Sequence, residues 1–159
     1  MENINRKDYE NQDTIHWAIV IFYKKEWDID KYLVVQNKET GNISFVSWAK
    51  KIQDNNLMET AQREIKEELN INPERYNLIP TTVTQEFVFW PKKKERAWKK
   101  AIYHVFWANW SQLWLIVTTK ELTSAVWMTK QDVLNTLTFD DVKDIFEKAT
   151  KEISIRELI

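Results

Sequence analysis

Residues 63–71 read REIKEELNI and place three glutamates close together. Apolar residues recur four positions apart from Leu57 to Leu69, which predicts an amphipathic helix over this stretch. We expect the helix to end at Asn70, because asparagine tolerates the left-handed conformation of a helix end. On such a helix Glu64, Glu67 and Glu68 are neighbours at i, i+3 and i+4. Like charges at this spacing destabilise a helix by roughly a few tenths of a kcal/mol per pair. A cation lying among the three carboxylates would therefore explain the cluster.

A hard divalent ion such as Mg²⁺ is one such cation. It prefers oxygen ligands and keeps several waters, and carboxylates and substrate phosphates complete its shell. The chain has no cysteine, so any metal has to be held by oxygen or imidazole. Taken by itself, E-x-x-E-E also fits a solvated acidic helix face, which is the commoner use of so short a pattern.

The spacing around the cluster resembles the signature of the Nudix hydrolases, G-x5-E-x7-R-E-U-x-E-E-x-G-U, in which U is aliphatic. Aligned without gaps, the signature runs from Ala49 to Ile71. Ala49 and Asn70 replace its glycines, and Asn55 replaces its first glutamate. The positions that match are Arg63, Glu64, Ile65, Glu67, Glu68 and Ile71.

The resemblance implies a metal-dependent pyrophosphohydrolase. Glu64, Glu67 and Glu68 would bind Mg²⁺, or alternatively Mn²⁺, and Glu64, Glu67 and Arg63 would serve catalysis. Divalent ions neutralise charge on a leaving phosphate and lower the pKa of bound water. We expect Arg63 to orient a carboxylate by a bidentate contact, with a plain surface salt bridge as the alternative. The implied substrates are nucleoside polyphosphates: dinucleoside polyphosphates, nucleoside triphosphates or RNA with a 5′-triphosphate.

The departures from the signature predict a weaker site. In the family the first glutamate supports the arginine and the metal shell, whereas Asn55 offers an amide oxygen without charge. Trp48 and Ala49 occupy a turn where the family commonly has a glycine-containing pair, and an indole ring there would crowd the metal. A Nudix-fold module that binds nucleotide or RNA without turnover is therefore the alternative to an enzyme.

The signature does not settle the general base. Glu121 is the first candidate, and Glu86 and Glu95 are weaker ones, because an exposed or salt-bridged carboxylate is the default for each. Residues 91–100, PKKKERAWKK, predict a cationic hairpin tip. This tip would steer a polyphosphate or an RNA 5′ end toward the metal, or would simply keep the hairpin soluble. Its substrate-binding candidates are Lys92, Lys94, Arg96 and Lys99.

Glycine and tryptophan occur in abnormal numbers. There is 1 Gly, where average usage predicts about 11, and there are 9 Trp. Trp27 and Trp110 stand in polar, turn-like stretches that favour glycine, whereas Trp127 lies in an ordinary strand pattern. Some bacterial lineages read the codon UGA as glycine, so several of these positions fit recoded glycines. A genuinely tryptophan-rich chain is the other interpretation.

The 159 residues carry a net charge of -1 and predict one Nudix hydrolase domain spanning 1–159. Alternating strand patterns on either side of the acidic helix, including a short strand at 42–48, and a second helical pattern near the C-terminus predict an α/β (α+β) fold. We expect a Nudix-like α/β/α sandwich around a central mixed β-sheet. His16 and His104 lie in strand patterns and are expected to be structural. No apolar run approaches the ~20 residues of a bilayer span, and no export signal is evident, which predicts a cytoplasmic protein.

Overall fold

The computed structural model describes residues 14–88, 100–109 and 122–157. Its longest strand, β1 (Thr14–Glu26), crosses the centre of the sheet. Strand residues alternate between faces, so even-numbered residues 18–22 and odd-numbered residues 19–23 belong to two different core clusters. Because both faces are covered, the sequence of β1 is an almost continuous apolar run rather than an alternating one.

Seven strands form one mixed sheet, as predicted. The order is β3-β2-β1-β6-β5, with β4 paired to β1 and β7 paired to β2. β1 and β6 are parallel, and the other pairs within the described residues are antiparallel. The remaining strands are β2 (Ile29–Asn37), β3 (Ile43–Ser44), β4 (Val46–Ala49), β5 (Asn77–Val88), β6 (Lys100–Asn109) and β7 (Leu122–Met128).

Helices cover the two faces of this sheet. Helix α1 (Leu57–Glu64) and the π-helical turn that follows it (Ile65–Leu69) pack on one face through Ala61 and the aliphatic residues after it. Helices α2 (Lys130–Thr136) and α3 (Asp140–Glu157) pack on the other face. The predicted α/β/α arrangement is confirmed. None of the helices in the described ranges is long and apolar enough to cross a bilayer.

Two elements differ from the sequence prediction. The predicted short strand at 42–48 is divided into β3, which pairs with β2, and β4, which pairs with β1. The C-terminal helical pattern is divided because Thr138 bonds to β3 instead of continuing the helix. Its amide donates to the Ile43 carbonyl at 3.1 Å, and its Oγ1 accepts from the Ile43 amide at 2.7 Å.

Candidate functional site

The acidic cluster begins in helix α1, which packs on one face of the sheet close to β4. Asn56 caps the first turn of this helix, with Oδ1 accepting from the Glu59 amide at 2.8 Å. After Glu64 the helix widens into the π-helical turn Ile65–Leu69, a distortion that is frequent at functional sites. It ends at Asn70, whose φ of 55° is left-handed. The predicted helix stop at Asn70 is confirmed, because asparagine tolerates this conformation where the signature has glycine.

A buried ion pair joins the loop after β4 to α1. Arg63 makes a bidentate contact with Asp54, from Nε to Oδ1 and from Nη2 to Oδ2, both at 3.0 Å. Asp54 is 3% exposed and also accepts from the Thr60 hydroxyl at 2.9 Å and from the Lys51 amide at 3.1 Å. The expectation that Arg63 orients a carboxylate by a bidentate contact therefore agrees with the geometry.

The electrostatics of this pair fix both charges. Burial opposes ionisation of Asp54, but the hydrogen bonds from Arg63, Lys51 and Thr60 outweigh it and hold the pKa of its carboxyl below the ordinary value. The pKa of Arg63 is raised above the ordinary value for arginine, chiefly by the hydrogen bond to Asp54. Arg63 is thus a permanent cation, and Asp54 holds the Nε–Nη2 edge of its guanidinium group.

The acid that supports the arginine is one residue earlier than the ungapped alignment indicates. Asn55 is exposed and donates to Glu59 at 3.0 Å instead of contacting Arg63. Asp54 takes the supporting role assigned to the first glutamate of the signature, with one extra residue before Arg63. The expectation of an uncharged support is corrected, and allowing a one-residue gap in the signature would have identified Asp54 from the sequence.

The rest of the Arg63 guanidinium gathers two of the predicted site residues. Nη1 donates to Glu64 Oε1 at 3.0 Å and to Glu67 Oε2 at 3.2 Å. Glu64 is 2% exposed, whereas the Glu67 side chain is 58% exposed. The cation expected among the acids is therefore supplied in part by the chain itself, and Arg63 brings these two carboxylates to the same point.

Glu68 is engaged by a different partner. Its Oε2 accepts from the indole N–H of Trp48 at 2.8 Å. Among residues 14–88, 100–109 and 122–157, no group of three side chains is arranged as a preformed metal cluster. The donor chemistry nevertheless suits a hard divalent ion, because Glu64, Glu67 and Glu68 offer carboxylate oxygens from adjacent helical turns.

A cavity of about 380 Å³ opens beside these residues. Glu68 and Trp48 lie in its wall, and aromatic rings line it elsewhere, at Phe45, Tyr103 and Phe139. Polar side chains that could orient a ligand also line it: Asn37, Asn42, Ser44, Ser47 and Gln85. The cavity thus joins an apolar, aromatic compartment to the edge of the acidic cluster. Periodicity in the sequence did not reveal it, because its walls come from six separate segments of the chain.

Several predicted site residues lie outside the described residues: Glu95, Glu121, Lys92, Lys94, Arg96 and Lys99. Glu86, the described alternative for the general base, forms an ion pair with Lys100 at 2.7 Å. His16 Nδ1 and His104 Nε2 lie 3.0 Å apart across β1 and β6. Burial is the main cause that lowers the pKa of each imidazole. The pair fits the structural role expected for both histidines.

A family model described as NUDIX domain matches residues 15–148. Three solved structures illustrate the similarity in fold. An Ap4A hydrolase of C. elegans, as a binary complex, is 15% identical with a TM-score of 0.72, covering 88% of this chain and 98% of its own. A NUDIX hydrolase from Listeria monocytogenes is 15% identical with a TM-score of 0.74, covering 89% and 95%.

The third is the NUDIX domain of Shewanella oneidensis NrtR complexed with ADP ribose. It is 15% identical with a TM-score of 0.66, covering 94% of this chain and 99% of its own. No curated protein matches the sequence significantly. The resemblance drawn from the signature is confirmed, and with it the class of enzyme that it implies, a Nudix-type pyrophosphohydrolase.

Proposed function

This chain belongs to the NUDIX domain family, and from that premise we propose that it hydrolyses a phosphoanhydride bond in a nucleoside polyphosphate with the help of Mg²⁺. NUDIX hydrolases generally use a divalent metal. The observation that carries the proposal is the contact of Arg63 with Glu64 and Glu67, fixed from behind by buried Asp54.

The proposed work of each residue follows from its position. Glu64 and Glu67, gathered by one guanidinium nitrogen, would hold the ion together with Glu68. A bound divalent ion supplies positive charge to phosphate oxygens and increases the acidity of water. Arg63 positions the two carboxylates, because its permanent charge is balanced by Asp54 and their oxygens. Glu121 stays our candidate for the base that accepts the proton of the attacking water.

The cavity supports a nucleotide as the substrate. Its volume of about 380 Å³ lies within the usual range for small-molecule sites, roughly 300–1,000 Å³. Tyr103 and Phe139 offer rings on which a base can stack. Phe45 is 3% exposed and packs against Phe146, so it forms the floor of the cavity. Glu68 lies in the same wall, so a base held in the cavity would direct its phosphates toward the carboxylates.

Within this class we propose a dinucleoside polyphosphate as the first substrate to test. The similar C. elegans protein is an Ap4A hydrolase, and the lysine-rich segment 91–100 would favour a long polyphosphate. Nucleoside triphosphates and 5′-triphosphate RNA are the other members of the panel. We expect the reaction to take place in the cytoplasm, as the sequence predicts.

A second function is favoured by one contact. Because Trp48 donates to Glu68, a chain with tryptophan at position 48 would bind a nucleotide or RNA without turning it over. This alternative predicts affinity for nucleotides that does not depend on Mg²⁺ and no release of product.

The test is product release from the substrate panel with and without Mg²⁺. We expect Mg²⁺-dependent release, most of which is lost in Glu67→Gln. Glu59→Gln is the matched control, since Glu59 lies on the same helix, is partly exposed and, within the described residues, bonds to its own helix cap and to Asn55. Equal rates in Glu67→Gln and the control would contradict the proposed role of Glu67. Nucleotide binding without product release would favour the binding module.

A further inference from the structure

Trp48 occupies the place where β4 meets the acidic cluster. Its side chain is buried, with 2% of the residue exposed, and its indole N–H donates to Glu68. We propose that position 48 decides whether Glu68 is available to a divalent ion, and that the functional protein carries glycine there. The inference rests on the proposed function only in taking Glu68 as a metal ligand.

The ion pair of α1 identifies position 48. Because Asp54 supports Arg63, it takes the place of the acid in G-x5-E. With five residues between the glycine and the acid, the glycine of that pattern lies six positions before Asp54 and falls on Trp48 instead of Ala49. The bulkiest side chain thus stands where the pattern has no side chain at all, in contact with a predicted ligand.

At a second, independent position tryptophan also stands where the backbone favours glycine. Trp27 and Asp28 form the two-residue turn between β1 and β2, with φ of 53° and 63°. Left-handed conformations at both positions are typical of a hairpin turn that favours glycine or asparagine. Trp27 is 91% exposed, so little packing of its indole compensates for the unfavourable backbone. Tryptophan occupies this position without a structural reason.

A third tryptophan has a polar group without a hydrogen-bond partner in the described part of the chain, whereas its backbone conformation is ordinary for a strand. Trp17 is fully buried, yet its indole N–H has no hydrogen-bond partner within the described residues. Buried polar groups are nearly always bonded, so this N–H is unfavourable, although the ring packs in the core against Tyr103 with centroids 5.6 Å apart. Together with 1 Gly and 9 Trp in the whole chain, positions 48 and 27 indicate glycine codons read as tryptophan.

Two other tryptophans have the contacts of a native residue and serve as contrast. Trp107 lies in β6 and packs its ring against Tyr23 and Tyr32, with centroids 5.2 and 5.7 Å away. Trp127 lies in β7, and the Lys24 ammonium stands 4.5 Å from its ring centroid. The exchange therefore concerns particular positions and not tryptophan in general.

The consequence for metal binding follows from the Trp48 contact. An ion that binds Glu68 through Oε2 competes with the indole N–H for that oxygen, and the buried ring occupies space beside the carboxylate. Trp48→Gly removes both obstacles. Trp48→Phe removes the N–H and keeps most of the bulk, so it separates the two effects.

The test is Mn²⁺ binding followed by the electron paramagnetic resonance signal of the free ion, without nucleotide. We expect the Kd for Mn²⁺ to fall at least about tenfold in Trp48→Gly, and by less in Trp48→Phe. Adding Glu68→Gln to Trp48→Gly should cancel the gain. Trp27→Gly is the control, and its Kd should equal that of the unsubstituted chain. If Trp48→Gly shows no thermal unfolding transition, Trp48→Ala takes its place with the same expectation.

A Kd for Mn²⁺ that is the same with and without the indole overturns the role of position 48. The second part of the proposal is that the functional protein carries glycine at position 48. The mass of the peptide spanning this position, isolated from the organism that encodes the chain, tests it. A mass that fits glycine supports it, and one that fits tryptophan overturns it. Failure of the proposed function looks different, because Trp48→Gly would then bind Mn²⁺ tightly and release no product from any nucleotide.

Discussion

Removing the Asp54 carboxylate should lower both the free energy of unfolding and the activity of the site, because Asp54 holds Arg63 in place. Asp54 accepts four hydrogen bonds, two from Arg63 and one each from Thr60 and Lys51. In Asp54→Ala two guanidinium N–H groups and the Lys51 amide lose their acceptor, whereas the buried Thr60 hydroxyl keeps the Asn56 carbonyl at 3.2 Å. Breaking a buried ion pair in this way typically costs about 3–5 kcal/mol. The Arg63 side chain is 25% exposed, so water recovers part of the loss, and we expect about 3 kcal/mol.

Urea unfolding followed by circular dichroism measures this loss. Asn55→Ala is the matched control, because the neighbouring side chain is exposed and should change the free energy of unfolding by less than about 0.5 kcal/mol. A double-mutant cycle with Arg63→Ala isolates the coupling between the two charges. We also expect Asp54→Asn to lower activity by about 10–100-fold, since Arg63 would no longer be held against Glu64 and Glu67.

The pH dependence has a definite sign. The folded-state pKa of Asp54 is lowered, so its contribution to stability is complete above the unfolded pKa of about 3.9. It is lost as the pH falls through the lower, folded-state pKa. The difference between the unsubstituted chain and Asp54→Asn should therefore shrink in acid. An unfolding free energy for Asp54→Ala within about 0.5 kcal/mol of the unsubstituted chain would refute the reasoning.

Three further changes have definite expected outcomes. Trp27→Gly should raise the free energy of unfolding by about 1 kcal/mol, because it relieves a left-handed conformation at an exposed turn; a lower melting temperature would contradict this. Since burial lowers the pKa of His16 and His104, stability should fall as the pH drops from about 6.5 through their folded-state values, and His104→Gln should flatten that dependence in unfolding titrations. Phe139→Ala should raise KM for a dinucleoside polyphosphate by roughly 5–100-fold at unchanged kcat, whereas Ile155→Ala, also about half exposed but outside the cavity lining, should leave both unchanged.

Local sequence patterns predicted the elements that depend on near neighbours. The apolar period from Leu57 to Leu69 and the stop at Asn70 follow from side-chain spacing and from the left-handed tolerance of asparagine. The strands around β1 were identified from β-branched and aromatic runs. Such features are encoded within one or two turns of chain, so a single sequence is enough to locate them.

Contacts between distant segments were not predictable in the same way. Thr138 ends α2 because it bonds to β3, and no residue near it in the sequence signals that bond. The support of Arg63 by Asp54 was missed because a signature aligned without gaps cannot accommodate an extra loop residue. The contact of Trp48 with Glu68 joins a strand to a helix 20 residues away. These features depend on how the loop folds back on the sheet.

Calorimetric titration with Mg²⁺, in the presence of a non-hydrolysable dinucleoside polyphosphate, tests the central claim most directly. It compares Glu67→Gln with Glu59→Gln, both in the unsubstituted chain and with Trp48→Gly. The arrangement of Glu64 and Glu67 around Arg63 predicts heat of Mg²⁺ binding that Glu59→Gln retains and Glu67→Gln loses. Identical binding curves for the two variants, or no Mg²⁺ uptake in either background, would contradict it.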